Sequence, residues 1–319
     1  MAEKLVEVKN LKKYFKTPKG LLHAVDDVSF SIEKGKTLGV VGESGCGKST
    51  LGRVLIHLEE STAGNIEFDG RDITVLKKRE LKKFREDAQM IFQDPYSSLN
   101  PRYTIEDIIM EPLLLSKKYS RTEARQKTTE LMNFVGIAQR LRLSYPHELD
   151  GGRRQRVGIA RALAYDPKFI VCDEPVSALD VSIQAQVLNL LQELKKEHNL
   201  TYMFITHDLS VVRHISDDIA VMYLGQQVET AEAKSLFKNP LHPYTKALLS
   251  AIPSTDIHNR KERIIIKGEI TSPIEPKPGC RFYSRCPYAT EECRKPVELK
   301  EVLPGHFVSC HKVKEINQL

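Results

Sequence analysis

The sequence predicts an α/β fold in which a mostly parallel sheet has both faces covered by helices. The first observation is a glycine-rich stretch at residues 42–50, which follows a short apolar, β-branched run and precedes a helical pattern. The second is that strand-like apolar runs alternate with helix-like segments along the chain. The third is that several apolar runs end in a polar residue, and ligands bind at the carboxyl ends of the strands in such sheets.

The glycine-rich stretch reads GESGCGKST and matches the pattern G-x-x-x-x-G-K-[ST]. Glycines let the backbone approach phosphate oxygens closely, and the N–H groups at the start of the following helix point at those oxygens. Lys48 can reach the β- and γ-phosphates of a nucleotide, and the Ser49 hydroxyl can bind Mg²⁺. The alternative is a glycine-rich turn without a ligand. The residues predicted to bind nucleotide in this loop are Gly42, Ser44, Gly45, Cys46, Gly47, Lys48, Ser49 and Thr50.

Length and composition indicate a globular protein with one large domain and a smaller one. The chain has 319 residues, of which 41% are hydrophobic and 28% charged, and its formal net charge is +6. No apolar run approaches the ~20 residues that cross a bilayer, and the first residues lack the apolar core of a signal peptide. A cytosolic location is therefore the default expectation. The small positive charge is weak evidence for nucleic acid or a membrane surface.

Local patterns along the chain predict the order of the elements. Residues 3–40 are β-rich, with a turn at 17–20, and residues 65–70 form a strand that ends in an Asp-Gly turn. Residues 100–150 lack strand signals and indicate a helical insertion. Further helices are predicted at 152–165 and 182–196, and further apolar strands at 168–175, 202–207 and 219–223.

Four polar residues at the predicted strand ends suit a nucleotide triphosphate. Asp173 follows four apolar residues, as a Mg²⁺-associated Walker-B carboxylate does. Glu174 is suited to polarising the water that attacks the γ-phosphate, and Gln93 can contact Mg²⁺ or that water. His207 can donate to the γ-phosphate. Taken singly, each has a plainer interpretation as a surface or structural residue, so the prediction rests on the set.

Further motifs resemble those of ABC-type ATPases. Residues 149–156, LDGGRRQR, are similar to the signature motif usually read L-S-G-G-Q, and residues 177–180 and 206–208 resemble the D-loop and H-loop. Tyr14 stands where this family places the aromatic residue that stacks on adenine. The resemblance implies a RecA-like P-loop core with a β subdomain and a helical subdomain at about 100–163. It assigns the signature, which serves the ATP site of a partner subunit, to Asp150, Gly151, Gly152 and Arg153.

The resemblance narrows to the ATP-binding subunits of oligopeptide and dipeptide importers. Residues 92–101 and 242–248, together with the terminal cysteines, resemble that branch. It implies a second ATP-binding subunit in a head-to-tail dimer with two ATPs, two membrane permeases, an extracytoplasmic binding protein and a position at the cytoplasmic face of the membrane. The composition changes near residue 236, where a proline-studded stretch begins, and this change predicts an ATPase domain at 1–235 and an accessory region at 236–319. Nickel, glutathione or oligosaccharide importers use similar ATPases and stay open as alternatives.

Two other classes of function are weaker interpretations. A soluble ABC-type ATPase acting on DNA would carry a long coiled coil between residues 50 and 149, and no sustained heptads occur there. One acting on ribosomes would carry two cassettes, whereas this chain has one. No nucleic-acid partner is therefore expected. A pure binding module is disfavoured by Glu174 and His207, which serve turnover.

The signature departs from the family pattern at two positions. Asp150 replaces the usual Ser, and an ionised carboxylate only accepts hydrogen bonds and repels phosphate. Arg153 replaces the usual Gln and adds a compensating charge. We hypothesise an asymmetric heterodimer in which the site on Lys48 hydrolyses ATP and the site that uses Asp150 turns over slowly. The alternative is that the site tolerates both changes with modest loss.

Four of the six cysteines crowd the last 40 residues of the chain. In a cytosolic protein such a group favours metal over disulfides, although none of its spacings is a tight C-x2-C. Four thiolates hold Zn²⁺ or a [4Fe–4S] cluster equally well. The peptide-importer resemblance favours the cluster, in a structural role, with Zn²⁺ as the alternative and free thiols or a disulfide after that. The predicted ligands are Cys280, Cys286, Cys293 and Cys310.

Overall fold

The computed structural model describes residues 3–252, 263–268 and 272–319. The chain divides into two compact units, Met1–Thr74 with Ile205–Leu319 and Val75–Phe204. The domain boundary predicted near residue 236 lies inside the first of these units. As a functional division of the chain it stays a prediction.

The first unit contains two sheets. Numbered along the chain, its strands are β1 (Lys4–Thr17), β2 (Gly20–Glu33), β3 (Thr37–Val41), β4 (Ala63–Phe68), β5 (Arg71–Asp72), β9 (Asp218–Tyr223), β10 (Gln226–Glu232), β11 (Lys300–Leu303) and β12 (His306–Val308). An antiparallel sheet has the order β2-β1-β4-β5, and the second sheet includes the order β11-β12-β10-β9-β3. The turn predicted at 17–20 joins β1 to β2.

The second sheet is mixed, so the prediction of a mostly parallel sheet is wrong for its edge. β3 and β9 pair in parallel, with Val40 opposite Ala220. β9, β10, β12 and β11 then pair in antiparallel fashion. The cause is local: Leu224 and Gly225 both have positive φ, and a two-residue turn of this kind joins only antiparallel strands.

Three helices of the first unit pack on a buried apolar core: α8 (Leu209–Ile215), α9 (Ala233–Lys238) and α10 (Pro243–Ser250). Within the described residues this unit also contains α1 (Lys48–Leu55) and α11 (Val313–Asn317). Tyr223, Tyr244 and Phe282 lie in this core, and each is at most 1% exposed. Their rings contact one another with centroids 4.8–5.4 Å apart. The C-terminal residues therefore pack into the same core as β9.

The second unit holds three short strands and most of the helices described in the structure. Its strands are β6 (Ala88–Ile91), β7 (Phe169–Asp173) and β8 (Thr201–Thr206, whose last two residues belong to the first unit). β7 lies between β6 and β8, and β6 and β7 pair in parallel. Its helices are α2 (Lys78–Asp87), α3 (Pro95–Ser98), α4 (Ile105–Leu115), α5 (Arg121–Phe134), α6 (Gly151–Leu163) and α7 (Val181–His198).

Side-chain caps explain where two helices of the second unit begin. Thr104 accepts from the Asp107 N–H at the start of α4, and Ser120 and Glu123 form a reciprocal capping box at the start of α5. Together with α6, these helices lie within residues 100–163, where the family resemblance implies a helical subdomain. None of the helices in the described ranges is long and apolar enough to cross a membrane.

Candidate functional site

The phosphate-binding stretch lies between β3 and α1, in the strand–loop–helix setting that its chemistry needs. Gly42 and Gly47 both have positive φ. A Cβ on Gly47 would lie 1.9 Å from the Ala24 carbonyl oxygen, and one on Gly42 would lie 2.2 Å from the Met222 oxygen. These glycines let the loop pass close to neighbouring backbone, so the turn depends on their lack of a side chain.

Lys48 is buried, and backbone carbonyl groups of the loop hold its side chain. Its side chain Nζ donates to the Gly42 oxygen at 2.8 Å and to the Glu43 oxygen at 3.0 Å. Cys46 is also buried, and burial raises the pKa of its thiol. Ser44 and Gly45 are exposed at the tip of the loop, whereas Ser49 and Thr50 lie in the first turn of α1. The loop thus gathers one ammonium group, hydroxyls and helix N–H groups, which together suit a polyphosphate.

Tyr14 belongs to a polar cluster in the first unit. Its ring stacks on the His23 ring, with centroids 3.9 Å apart, and its hydroxyl donates to Asp26. Arg281 also donates to Asp26. Burial alone would raise the pKa of Asp26, but the hydrogen bonds from Tyr14 and His23 and the charge of Arg281 lower it overall. Tyr14 therefore presents a fixed, half-buried ring.

Gln93 and Glu174 lie together at the carboxyl ends of neighbouring parallel strands. Ile91 pairs with Cys172, so Gln93 and Glu174 each follow the paired residues by two positions. The Gln93 amide donates to a Glu174 carboxylate oxygen at 2.9 Å. This contact brings two of the predicted site residues together within the second unit.

Asp173 is the last residue of β7 and is 2% exposed. Glu174, which follows it, has φ 45°, in the left-handed region that non-glycine residues rarely adopt. Strand geometry therefore stops between the two carboxylates. Because Glu174 lies in a turn, its side chain is freed from the alternation that would aim it directly opposite Asp173.

His207 follows β8 directly and is exposed. The next residue, Asp208, accepts from the Ser210 N–H and caps α8. The Asp208 N–H in turn donates to the Thr206 hydroxyl at 3.0 Å. His207 thus lies in a tightly hydrogen-bonded connection between a strand and a helix.

The signature residues occupy the N-terminus of α6. Asp150 is its N-cap, and one carboxylate oxygen accepts from the Arg153 N–H at 2.7 Å. Its other oxygen lies 3.4 Å from Arg153 Nε. A Cβ on Gly152 would lie 2.5 Å from the Ile183 side chain of α7, and one on Gly151 would lie 3.2 Å from Leu179. The two glycines allow α6 to approach residues 179–183.

The capping role of Asp150 is absent from the prediction, which treats this carboxylate only as a charge that repels phosphate. A sequence signal for it exists, because Asp and Ser are both favoured N-cap residues and residue 150 directly precedes a helical pattern. In the structure the Asp150 charge is partly offset by Arg153 and by the helix N-terminus.

The four terminal cysteines line one small cavity, together with residues such as His242 and His311. Cys280, Cys286 and Cys310 are partly buried, and burial raises their pKa values, to about 12 for Cys280 and about 11 for Cys310. Within the described residues, no three Cys, His, Asp or Glu side chains are arranged as ligands of one metal ion. The structure thus brings the thiols together without forming a ligand set.

Family comparisons place this geometry among known proteins. Residues 25–177 match the ABC transporter family model, and residues 228–293 match the model described as the oligopeptide/dipeptide transporter C-terminal region. The chain is 52% identical to the oligopeptide transport ATP-binding protein AppF of Bacillus subtilis, covering 97% of both chains. It is 51% identical to OppF of Escherichia coli, covering 96% of this chain and 93% of that protein.

Solved structures of ABC transporter proteins share the fold of this chain. A dimeric, post-hydrolysis structure of the ATP-binding cassette MJ0796 with ADP and Pi superposes with a TM-score of 0.67 and 30% identity, covering 72% of this chain and 99% of that one. CbiO1 of Clostridium perfringens, part of the transporter complex cbiONQ, also gives a TM-score of 0.67, with 27% identity. These findings confirm the resemblance predicted from the motifs. The chain belongs to the oligopeptide-transport ATP-binding proteins of the ABC transporter family.

Proposed function

We propose that this chain hydrolyses ATP to power the import of di- and oligopeptides through a membrane ABC transporter. The observation that carries the proposal is the phosphate loop, in which two glycines with no room for a Cβ fold the chain around the buried ammonium group of Lys48. The relatives named above are oligopeptide transport proteins, and another relative that is 46% identical is the di/tripeptide transport ATP-binding protein DppF of Pseudomonas aeruginosa.

In this function the loop of residues 42–50 binds the triphosphate. Its N–H groups and Lys48 contact phosphate oxygens, and Tyr14 stacks on adenine through its half-buried ring. The Ser49 hydroxyl, the Gln93 amide and the Asp173 carboxylate are the hard oxygen ligands that suit Mg²⁺. When bound, Mg²⁺ offsets the charge of the phosphates.

Hydrolysis is an in-line attack of water on the γ-phosphate. Glu174 accepts a hydrogen bond from that water and takes its proton as the new O–P bond forms, while the bond from the γ-phosphorus to the β–γ bridging oxygen breaks and ADP leaves. Gln93 supports this role because its amide holds one Glu174 oxygen at 2.9 Å. His207 donates to a γ-phosphate oxygen, where negative charge is concentrated.

The active species is a head-to-tail dimer with a second ATP-binding subunit, and we propose that this dimer is a heterodimer. In it, residues 150–153 face the ATP bound to the partner. The support for asymmetry is that Asp150 can only accept hydrogen bonds and already accepts one from Arg153. A donor that the usual Ser would supply is therefore missing, and that site turns over more slowly.

The remaining partners are two permeases in the membrane and an extracytoplasmic binding protein that delivers the peptide. The chain then sits at the cytoplasmic face of the membrane as a peripheral subunit. Peptides are favoured over nickel, glutathione or oligosaccharides because the relatives named above are peptide transporters.

We also propose that Cys280, Cys286, Cys293 and Cys310 hold a [4Fe–4S] cluster that fixes the C-terminal segment, with Zn²⁺ as the alternative. The support is that all four thiols line one cavity. A small movement of these side chains is required, because they do not form a ligand set as described.

Metal analysis of the protein purified without oxygen tests the cluster. We expect a brown protein with about four iron and four sulfide per chain. A colourless protein with one Zn²⁺ would support the alternative, and a protein with neither would remove the metal proposal.

Peptide uptake tests the transport function. In cells that lack this subunit, the wild-type chain should restore uptake of a labelled tripeptide. Lys48→Ala should not restore it, because the ammonium group that binds phosphates is lost. Lys36→Ala removes a half-exposed lysine paired with Glu33 and is the matched control. If wild-type and K48A cells take up peptide equally, the proposal is wrong.

A further inference from the structure

The short segment between Cys280 and Cys286 carries two buried arginines that reach the nucleotide-binding residues. Phe282, at its centre, is 1% exposed and packs on Tyr223 and Tyr244. The Cys280 N–H donates to the Cys293 oxygen at 2.8 Å. The segment is therefore anchored by both apolar packing and backbone hydrogen bonds. We call Arg281 and Arg285 together the arginine brace.

Arg285 forms a two-point ion pair with Glu43 of the phosphate loop. Its Nη1 and Nη2 donate to the two carboxylate oxygens at 2.7 and 3.0 Å. The Arg285 side chain is 8% exposed and that of Glu43 is 25% exposed. A planar guanidinium that binds both oxygens fixes the direction of the carboxylate as well as offsetting its charge.

The backbone of Glu43 is held by other groups. Its N–H donates to the hydroxyl of Tyr244 at 2.9 Å, and Tyr244 is fully buried. Its carbonyl accepts from Lys48 at 3.0 Å. Side chain, N–H and carbonyl of this one loop residue are thus each bonded, two of them by residues more than 200 positions away in the chain.

Arg281 acts in the same way at the other end of the predicted site. It donates to the Asp26 carboxylate, which accepts from the Tyr14 hydroxyl, and also to the Leu224 oxygen at 3.3 Å. The Arg281 side chain is 7% exposed. The brace therefore contacts Glu43 of the phosphate loop and Asp26, which accepts a hydrogen bond from the hydroxyl of Tyr14, the predicted adenine-stacking residue.

We infer that Arg281 and Arg285 are positioning residues for ATP, with Arg285 setting the charge and geometry of the phosphate loop through Glu43. The inference rests on the proposed ATP-binding function. Without Arg285, the Glu43 carboxylate would stand uncompensated in a loop that must receive a triphosphate. Repulsion between like charges in this partly buried place would weaken binding.

Neutralising Glu43 should repair the loss of Arg285. Removing one partner of a buried charge pair is costly because the other is left unpaired, whereas removing both is much less so. Cys280 and Cys286 directly flank the brace. A change in the cysteine-lined cavity should therefore also alter the affinity for ATP through these arginines.

The test is the affinity of the full-length protein for AMP-PNP with Mg²⁺, measured by calorimetry. Arg285→Met should weaken binding roughly ten- to hundredfold. The double variant E43Q/R285M, which removes both charges of the pair, should recover to within a few-fold of wild type. Arg285→Lys should bind AMP-PNP more tightly than R285M but more weakly than wild type, since an ammonium group cannot form the two-point pair. The control is Arg294→Met, which removes a largely exposed arginine of the same region.

Each outcome bears on the inference. Equal affinity of R285M and wild type would overturn it. A double variant no better than R285M would also overturn it, because the loss would then come from damaged packing and not from charge; thermal melting of the same variants reads that damage directly. If the wild type itself fails to bind AMP-PNP, the proposed function is wrong. If the wild type binds AMP-PNP and the variants bind it equally well, only the inference about the arginines is wrong.

Discussion

Gly47 shows how closely the phosphate loop depends on single residues. It has φ 103° at the N-cap of α1, and a Cβ there would meet the Ala24 carbonyl at 1.9 Å. Gly45, two residues earlier, has φ 77° with nothing within 4 Å of a built Cβ. Both residues have a left-handed backbone conformation, but only Gly45 has room around it for a Cβ.

This pair gives a matched prediction. Gly45→Ala should cost only the left-handed penalty of roughly 1–2 kcal/mol of unfolding free energy. Gly47→Ala should cost more and should abolish nucleotide binding, because the loop must move away from residue 24. Chemical denaturation and nucleotide titration of both variants measure this. Equal effects of the two substitutions would contradict the loop geometry described here.

At the residue scale, the sequence predicted the motif residues but not what holds them. Lys48, Glu174 and Gln93 are predicted site residues because each lies in a local pattern. The Arg285–Glu43 pair joins residues 242 positions apart, and no local pattern links them. The sequence contains the signal that Asp150 caps α6, but the prediction considers this carboxylate only in relation to phosphate.

At the scale of elements, α10 depends on a histidine that must stay neutral. His242 is its N-cap, and the ring Nδ1 accepts from the Tyr244 N–H at 3.1 Å, which a protonated ring cannot do. Burial lowers the pKa of His242 to about 4. The cap also positions Tyr244, whose hydroxyl holds the phosphate loop.

The lowered pKa predicts acid sensitivity. Between pH 6.5 and 4 the unfolded chain binds a proton at His242 that the folded chain does not, so the stability falls as the pH falls. The whole shift corresponds to about 3 kcal/mol of unfolding free energy. His242→Asn keeps a good capping residue without the titration. Denaturation curves at pH 7 and pH 4.5 should show a clearly smaller loss for H242N; parallel losses would count against this role.

Elements with strong local signals were predictable, and those made by pairing were not. The helix α7 follows an apolar periodicity, and α4 and α5 begin at capping residues that can be read in the sequence. The strands β10 and β12 were missed, since polar residues such as Glu229 interrupt their apolar pattern. Glu229 is fully buried in β10 and accepts from His306 of β12 at 2.7 Å, so a tertiary partner allows the polar residue there.

At the scale of the whole molecule, the chain is a member of the oligopeptide-transport ATP-binding proteins of the ABC transporter family. The sequence predicted the family, since several motifs occur in the family order. It did not predict that the described residues of 205–319 pack in one compact unit with those of 1–74, because that follows from a shared core and from β3 pairing with β9. The C-terminal residues therefore belong structurally with the phosphate loop.

The central claim is that the ATP site on Lys48 and Glu174 of this chain drives the transporter. The most direct measurement is ATP hydrolysis by the assembled transporter carrying Glu174→Gln, compared with one carrying the corresponding Glu→Gln change in the second ATP-binding subunit. We predict that E174Q lowers the rate by about 10²-fold or more, as expected for a lost general base, while ATP still binds, and that the partner change has the smaller effect. Near-normal hydrolysis with E174Q, or a larger loss from the partner change, would contradict the account.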